Sequence, residues 1–136
     1  MKAFIFDLDG VIVFTDKFHY QAWKKMADRM GIYFDETINN RLRGVSRAES
    51  LEIILEKYEG TPLTAEQKAE LMEEKNNTYR ELLKTMTAAD VTDEVRDTLK
   101  KLHEAGFKLA IGSSSKNAKF IWRRLNCRCV RCNFRW

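Results

Sequence analysis

Two carboxylates one residue apart, Asp7 and Asp9, end the apolar run Phe4-Ile5-Phe6 and are followed by Gly10-Val11-Ile12. Carboxylates this close repel unless positive charge lies between them. A hard divalent cation such as Mg²⁺ fits that need, since it takes oxygen ligands and keeps waters and phosphate oxygens around it. A carboxylate can also attack phosphorus and form an aspartyl-phosphate, and a second one beside it can move protons as acid or base. An isolated Asp-x-Asp more often caps a strand and a turn. Behind an N-terminal apolar run and ahead of Gly-Val-Ile, the pair reads instead as a site in which Asp7 and Asp9 are both catalytic and metal-binding candidates.

The element that must position them is a strand. Residues 2–8 read as a buried strand of an α/β sheet, delivering both carboxylates at its C-terminal end, where ligands bind in open sheets of this kind. Gly10 permits the tight exit from that strand. A second strand is expected over residues 108–112, reached through a helix that Thr92 caps and that stops at Ala105-Gly106, with Asp93 and Glu94 in its first turn. Ser113, Ser114 and Ser115 come next, where hydroxyls and backbone N–H groups can hold a phosphate. Lys116 and Asn117 open the next helix, expected over residues 116–125.

Residues 17–86 read as all-helical. Phe18, Ala22, Met26 and Met30 have helical spacing ahead of Gly31, and His19 and Trp23 share a face of that helix. On pattern alone Trp23 is as readily a core residue. Residues 35–43 form a weaker helix, broken at Gly44-Val45. Ser46 and Glu49 have the form of a capping box opening a helix over residues 47–58. Arg47 in its first turn is suited to phosphate, by the free N–H groups of a helix N-terminus and by its forked guanidinium, although such an Arg is more often solvated. Thr64 and Gln67 form a second box, opening a helix to residue 86 with Leu71, Tyr79, Leu82, Leu83 and Met86 on its apolar face. Lys75 and Asn76 lie midway along it, where a lone Lys usually faces solvent.

The string Phe6-Asp7-Leu8-Asp9-Gly10-Val11-Ile12 resembles the first motif of the haloacid dehalogenase (HAD) superfamily of phosphotransferases. Further segments are similar to the β-phosphoglucomutase family within it. They are His19-Tyr20-Gln21-Ala22-Trp23-Lys24, Arg43-Gly44-Val45-Ser46-Arg47, Lys75-Asn76-Asn77 and Ser113-Ser114-Ser115-Lys116-Asn117, and the likeness runs to about residue 120. Thr15 matches, whereas Phe14 stands where the family usually has Asp. The resemblance implies an incomplete α/β Rossmann-like core, residues 1–16 and 87–125, with an inserted helical cap, residues 17–86. It further implies a Mg²⁺-dependent isomerase that interconverts β-glucose 1-phosphate and glucose 6-phosphate through an aspartyl-phosphate and a bisphosphate. In that reading Asp7 takes and gives the phosphoryl group, Asp9 is the general acid and base, and Ser113 holds the group in transfer. Thr15, Ser114, Ser115, Lys116 and Asn117 line its surroundings. Gly44, Val45, Ser46 and Arg47 hold the distal phosphate, while His19, Trp23, Lys75 and Asn76 meet the substrate. The alternatives are a HAD phosphatase acting on small phosphoesters, a non-catalytic fragment, or a non-specific nucleic-acid binder driven by the basic tail with its Arg, Phe and Trp.

Charge divides the chain sharply. The first 115 residues hold 17 Lys and Arg against 20 Asp and Glu, a net of −3, whereas residues 116–136 hold seven basic residues and no acid. Residues 126–136 have no family pattern, and no lysine strand or acidic pair of the family's later motifs is present. The expectation is a chain truncated or frameshifted after about residue 120, with impaired activity. Cys127, Cys129 and Cys132 lack a fourth ligand at zinc spacing, so a zinc site is disfavoured. No apolar run approaches the ~18 residues of a membrane helix. The expected setting is cytoplasmic, for a monomer acting on a phosphosugar without a specific nucleic-acid partner.

Overall fold

From Asp16 to Glu104 the backbone is mostly helical, and local capping accounts for the starts of the α-helices at Glu36, Arg47, Ala65 and Asp93. The computed structural model describes residues 2–127. In chain order the elements are β1 (Ala3–Phe6), α1 (Asp16–Arg29), α2 (Glu36–Asn40), α3 (Arg47–Leu55), α4 (Ala65–Leu83), a 3₁₀ turn (Ala88–Asp90), α5 (Asp93–Glu104), β2 (Lys108–Ile111) and α6 (Ala118–Leu125). The chain divides into two compact units, residues 2–16 with 83–127, and Lys17–Leu82. The second ends at Leu82, whereas the sequence expectation for the cap runs to residue 86.

In the helical unit, side-chain oxygens take up backbone N–H groups that no helical turn can satisfy. Asp35 accepts from Ile38 N at 2.8 Å and starts α2. Ser46 and Glu49 close a reciprocal box at 3.2 and 2.9 Å ahead of α3. Thr64 and Gln67 do the same ahead of α4, again at 3.2 and 2.9 Å. The apolar faces meet in one core of Trp23, Met26, Ala27, Ile32, Phe34, Leu42, Leu51, Ile54 and Leu71. Full burial of each large aliphatic side chain stabilises by about 1.5–3 kcal/mol. Two exposed ion pairs, Arg29 with Glu74 and Arg41 with Glu56, join helices at the surface, and exposed pairs contribute little.

The α/β unit is held by a parallel pair, β1 with β2, in the register Ala3↔Lys108 to Phe6↔Ile111. Gly112 N donates to Phe6 O at 2.8 Å and extends the ladder by one bond. Leu109 and Ile111 of β2 are buried, as are Leu8, Val13, Leu99, Ile121 and Leu125 of the same unit. Thr92 caps α5 through Val95 N, and α5 carries Asp93 and Glu94 in its first turn with Lys101 and His103 in its last, which suits the helix dipole.

Several expectations are corrected. The first strand spans Ala3–Phe6 rather than residues 2–8, and it is not buried: Phe4 is 40% and Ile5 76% exposed. A parallel strand is buried when neighbours and helices cover it. Among the described residues only β2 pairs with β1, so the other edge stays open. α3 stops at Leu55 rather than 58, and α4 at Leu83 rather than 86. α6 begins at Ala118 rather than 116, because Ser115 and Asn117 spend their bonds on a turn. The 3₁₀ turn was not foreseen. It is closed by Thr87 N donating to Asp90 and by the Thr87 hydroxyl accepting from Ala89 N. Asn126, in the left-handed region at φ 49°, ends α6, and Cys127 beyond it is buried. The other two cysteines of the expected thiol trio, Cys129 and Cys132, lie outside the described residues.

Candidate functional site

The expected site residues fall into two groups, one in each unit. In the α/β unit, Asp7 is the first residue after β1, and its Oδ1 accepts from Leu8 N at 2.7 Å. Leu8 is fully buried and pulls the chain inward there. The chain then turns, closed by Gly10 N to Val13 O at 2.8 Å and by Ile12 N and Val13 N to Leu8 O at 3.0 and 3.1 Å. Gly10 sits at φ +81°, a conformation that an L side chain rarely adopts. The turn leads to Thr15, which is buried and donates its hydroxyl proton to Asp9 Oδ1 at 2.5 Å. Burial pushes the Asp9 carboxyl above the usual carboxylate range, the Thr15 bond holds it back, and Asp7 and Asp16 push it up further. A carboxyl raised in this way holds its proton more readily than a free one, which suits a proton donor.

Parallel pairing brings the second segment to the same end of the sheet. Phe6 is opposite Ile111, so the chain beyond β2 leaves beside the chain that carries Asp7. Ser113 is buried there, its Oγ accepting from Ser115 N at 3.1 Å, and Ser115 Oγ accepts from Asn117 N at 3.2 Å. Ser114 and Lys116 are exposed. Asp7 and Asp9 offer oxygen donors alone, the donor chemistry a hard divalent cation takes. Among the described residues no group of three or more His, Cys, Asp or Glu is placed to hold a metal ion. A cation held by these two carboxylates would draw the rest of its ligands from waters or phosphate oxygens.

In the helical unit, five of the expected residues come together. Lys75 Nζ lies 2.9 Å from His19 Nδ1 and over the rings of Trp23 and Tyr79, 4.9 Å from each centroid. His19 stacks on Tyr79 with centroids 4.0 Å apart. Arg47 donates through Nη2 to Asn76 Oδ1 at 3.0 Å, tying α3 to the middle of α4. Lys75 is 3% exposed, contrary to the solvent position usual for a lone Lys. Its place is set by spacing: Leu71, Lys75 and Tyr79 are four apart and form the inward row of α4. Burial, then Arg47, lowers Lys75 to about 7; burial, then Lys75, then Arg47, lowers His19 to about 3. His19 is thus neutral at neutral pH and can bond the Lys75 ammonium through a ring nitrogen. The ring faces of Trp23 and Tyr79 offset part of the cost of burying that cation.

Trp23 serves both readings, being buried in the helical core and facing Lys75. Gly44, Val45 and Ser46 form an exposed turn into α3. Tyr79 was missed as a site residue. Its signal was its position one turn beyond Lys75, which the sequence reading assigned to plain core. An open groove of about 810 Å³ on α1 and α4, lined by Gln21, Lys25, Glu70, Glu74, Asn77 and Leu82 among others, contains none of the expected residues.

The chain matches the family model described as haloacid dehalogenase-like hydrolase over residues 1–128. It is similar to the β-phosphoglucomutase of Bacillus subtilis (strain 168), with 45% identity over 127 residues, covering 92% of this chain and 56% of that protein. It is 30% identical over 123 residues to a phosphorylated carbohydrates phosphatase of Thermotoga maritima, covering 90% of this chain and 54% of that one. A solved β-phosphoglucomutase from Clostridium difficile superposes with a TM-score of 0.79 at 38% identity, over 97% of this chain and 60% of that chain. The chain thus spans little more than half the length of the relatives it matches. With the first motif at the end of β1 and a family match over nearly its whole length, the chain belongs to the haloacid dehalogenase-like hydrolase family.

Proposed function

We propose that this chain carries the phosphoryl-transfer half-site and the sugar-phosphate recognition elements of a β-phosphoglucomutase, interconverting β-D-glucose 1-phosphate and glucose 6-phosphate. The observation that carries the reading is the 45% identity to a protein of that name across 92% of the chain. The placement of Asp7, Asp9 and Ser113 at one end of a parallel pair supports it. Asp7 is the nucleophile that accepts the phosphoryl group, forming an aspartyl-phosphate. Asp9, held by Thr15 and raised by burial, protonates the leaving sugar oxygen and later takes the proton from the attacking sugar hydroxyl. Ser113 holds the phosphoryl oxygens through its hydroxyl. Mg²⁺, held by Asp7 and Asp9, would supply charge neutralisation for the transferring group. Arg47, with Gly44, Val45 and Ser46, holds the distal phosphate of the bisphosphate intermediate, and Asn76 orients the guanidinium. Lys75 and His19 present donors to the sugar hydroxyls.

No acidic residue comes after Glu104 in these 136 residues, so no further carboxylate from that stretch can join the metal site. Turnover by this chain alone is therefore low. A second reading, a phosphatase on small phosphorylated sugars, has the Thermotoga maritima relative in its favour. The test fuses residues 1–120 to the C-terminal remainder of a full-length relative. Asp7→Asn should abolish aspartyl-phosphate formation, and Asp9→Asn should slow transfer to sugar by at least ~10²-fold. Full mutase turnover by the Asp7→Asn protein rejects the assignment. Hydrolysis of sugar phosphates without isomerisation selects the phosphatase.

A further inference from the structure

Of the seven basic residues between Lys116 and Arg135, six have no part in the chemistry above. α6 shows how some of that charge is presented. It turns Ala118, Ile121 and Leu125 inward, and all three are buried in the α/β unit. Lys119, Arg123 and Arg124 are left exposed. Lys119 and Arg123 are one turn apart, as are Phe120 and Arg124, so cations and ring share one outer side. The Arg124 guanidinium lies over the Phe120 ring, 5.4 Å from its centroid. Phe120 and Trp122 each keep part of their surface in solvent.

A basic helix can meet an anionic membrane or an anionic polymer. Membrane binding by such a helix needs its apolar stripe free to enter the acyl boundary. Here that stripe is already buried within the unit. What remains is a row of cations interleaved with aromatic rings, the combination that binds single-stranded nucleic acid by phosphate neutralisation and base stacking. A duplex offers the charge but keeps its base faces stacked. Residues 1–115 carry a net charge of −3, so the chain's excess of positive charge lies in the residues from Lys116 on, this face of α6 among them. Beyond α6 the sequence continues in the same vein with Arg128, Arg131, Phe134, Arg135 and Trp136.

We propose that the outer side of α6, with Lys119, Phe120, Trp122, Arg123 and Arg124, is a sequence-independent binding surface for single-stranded nucleic acid. The test is fluorescence anisotropy of a labelled oligothymidylate titrated with the 136-residue chain at several KCl concentrations. Neutralising between three phosphates, for the exposed cations of α6, and seven, for all basic residues from Lys116 on, gives a slope of log affinity on log salt between about −2 and −5. Charge reversal with Lys119→Glu and Arg123→Glu should weaken binding at least ~10-fold at low salt and flatten the slope. Phe120→Ala should weaken it by about 5- to 100-fold with the slope kept. Circular dichroism checks that each variant keeps its helix. Where charge reversal or the Phe120 change disturbs it, Lys119→Ala with Arg123→Ala and the exposed Arg124→Ala are read instead. Absence of binding at low salt, or indifference to the α6 variants, overturns the proposal. So does equal competition by inorganic polyphosphate, which has charge but no bases, or a preference for phosphatidylserine vesicles.

Discussion

The two units solve the same problem unequally. The helical unit closes an apolar core from its own four helices, with Met26, Ala27, Leu51 and Ile54 at most 1% exposed. The α/β unit buries Leu109 and Ile111 on β2 yet leaves Ile5 on β1 76% exposed. The difference lies in where each kind of element finds its partners. A helix satisfies its backbone internally and needs only a stripe of apolar contacts, which neighbours in sequence can supply. A parallel strand needs partners on both edges and cover on both faces, all from distant sequence. A two-stranded pair is the least stable form such a sheet can take.

The largest test of this contrast is a cavity in the better-closed unit. Leu51→Ala should destabilise the helical unit by about 2–5 kcal/mol, read as a lowered denaturation midpoint. A loss below about 1 kcal/mol would show that this core is no tighter than the sheet. The next test uses pH. Lys75 titrates at about 7 in the folded chain and near its ordinary 10.5 when unfolded. Between those values the unfolded state binds more protons, so stability rises with pH, by up to about 1.4 kcal/mol per unit. Below about 7 the full penalty is present. His19, lowered to about 3, adds a further loss of the same sign as pH falls from 6.5 toward 3. Lys75→Met should remove the alkaline part of this dependence. Denaturation between pH 7 and 10 with the same slope in both proteins would show that Lys75 is not the group responsible.

A smaller effect is expected from removing a cap. Ser46→Ala deletes the hydroxyl that accepts from Glu49 N and should cost about 1 kcal/mol. No change in the melting midpoint would mean that packing alone fixes the start of α3. The smallest is Ile5→Thr, which should shift stability by less than about 0.5 kcal/mol, since little area is lost at an exposed site. It should nonetheless reduce aggregation, because an apolar open edge invites pairing with other chains. A loss of about 2 kcal/mol or more, measured by the same denaturation, would place Ile5 in a core and undo the comparison.

Much of the fold was legible because its causes are local. Ser46 with Glu49, Thr64 with Gln67, and Thr92 each declared a helix start through side chains that reach only three residues. Asp7 and Asp9 could be read from an apolar run, a carboxylate spacing and a glycine, and they stand where the strand ends. The pairing of β1 with β2 was implicit in the β-α-β pattern. The sequence by itself thus determined the capped helix starts, the existence of the two strands and the carboxylate pair that follows β1.

Only the tertiary structure decided the rest. It placed Lys75 inside the helical unit, against His19, Trp23 and Tyr79, because the row of α4 that holds it faces inward whatever residue occupies it. It bound Arg47 to Asn76, 29 residues away. It left β1 exposed, although its composition is that of a buried strand, because burial depends on how many neighbours the fold supplies and not on the strand's own residues. Capping and periodicity act over one or two helical turns and are written in the sequence. Burial, and the proton affinity that burial sets, depend on groups that only folding brings near.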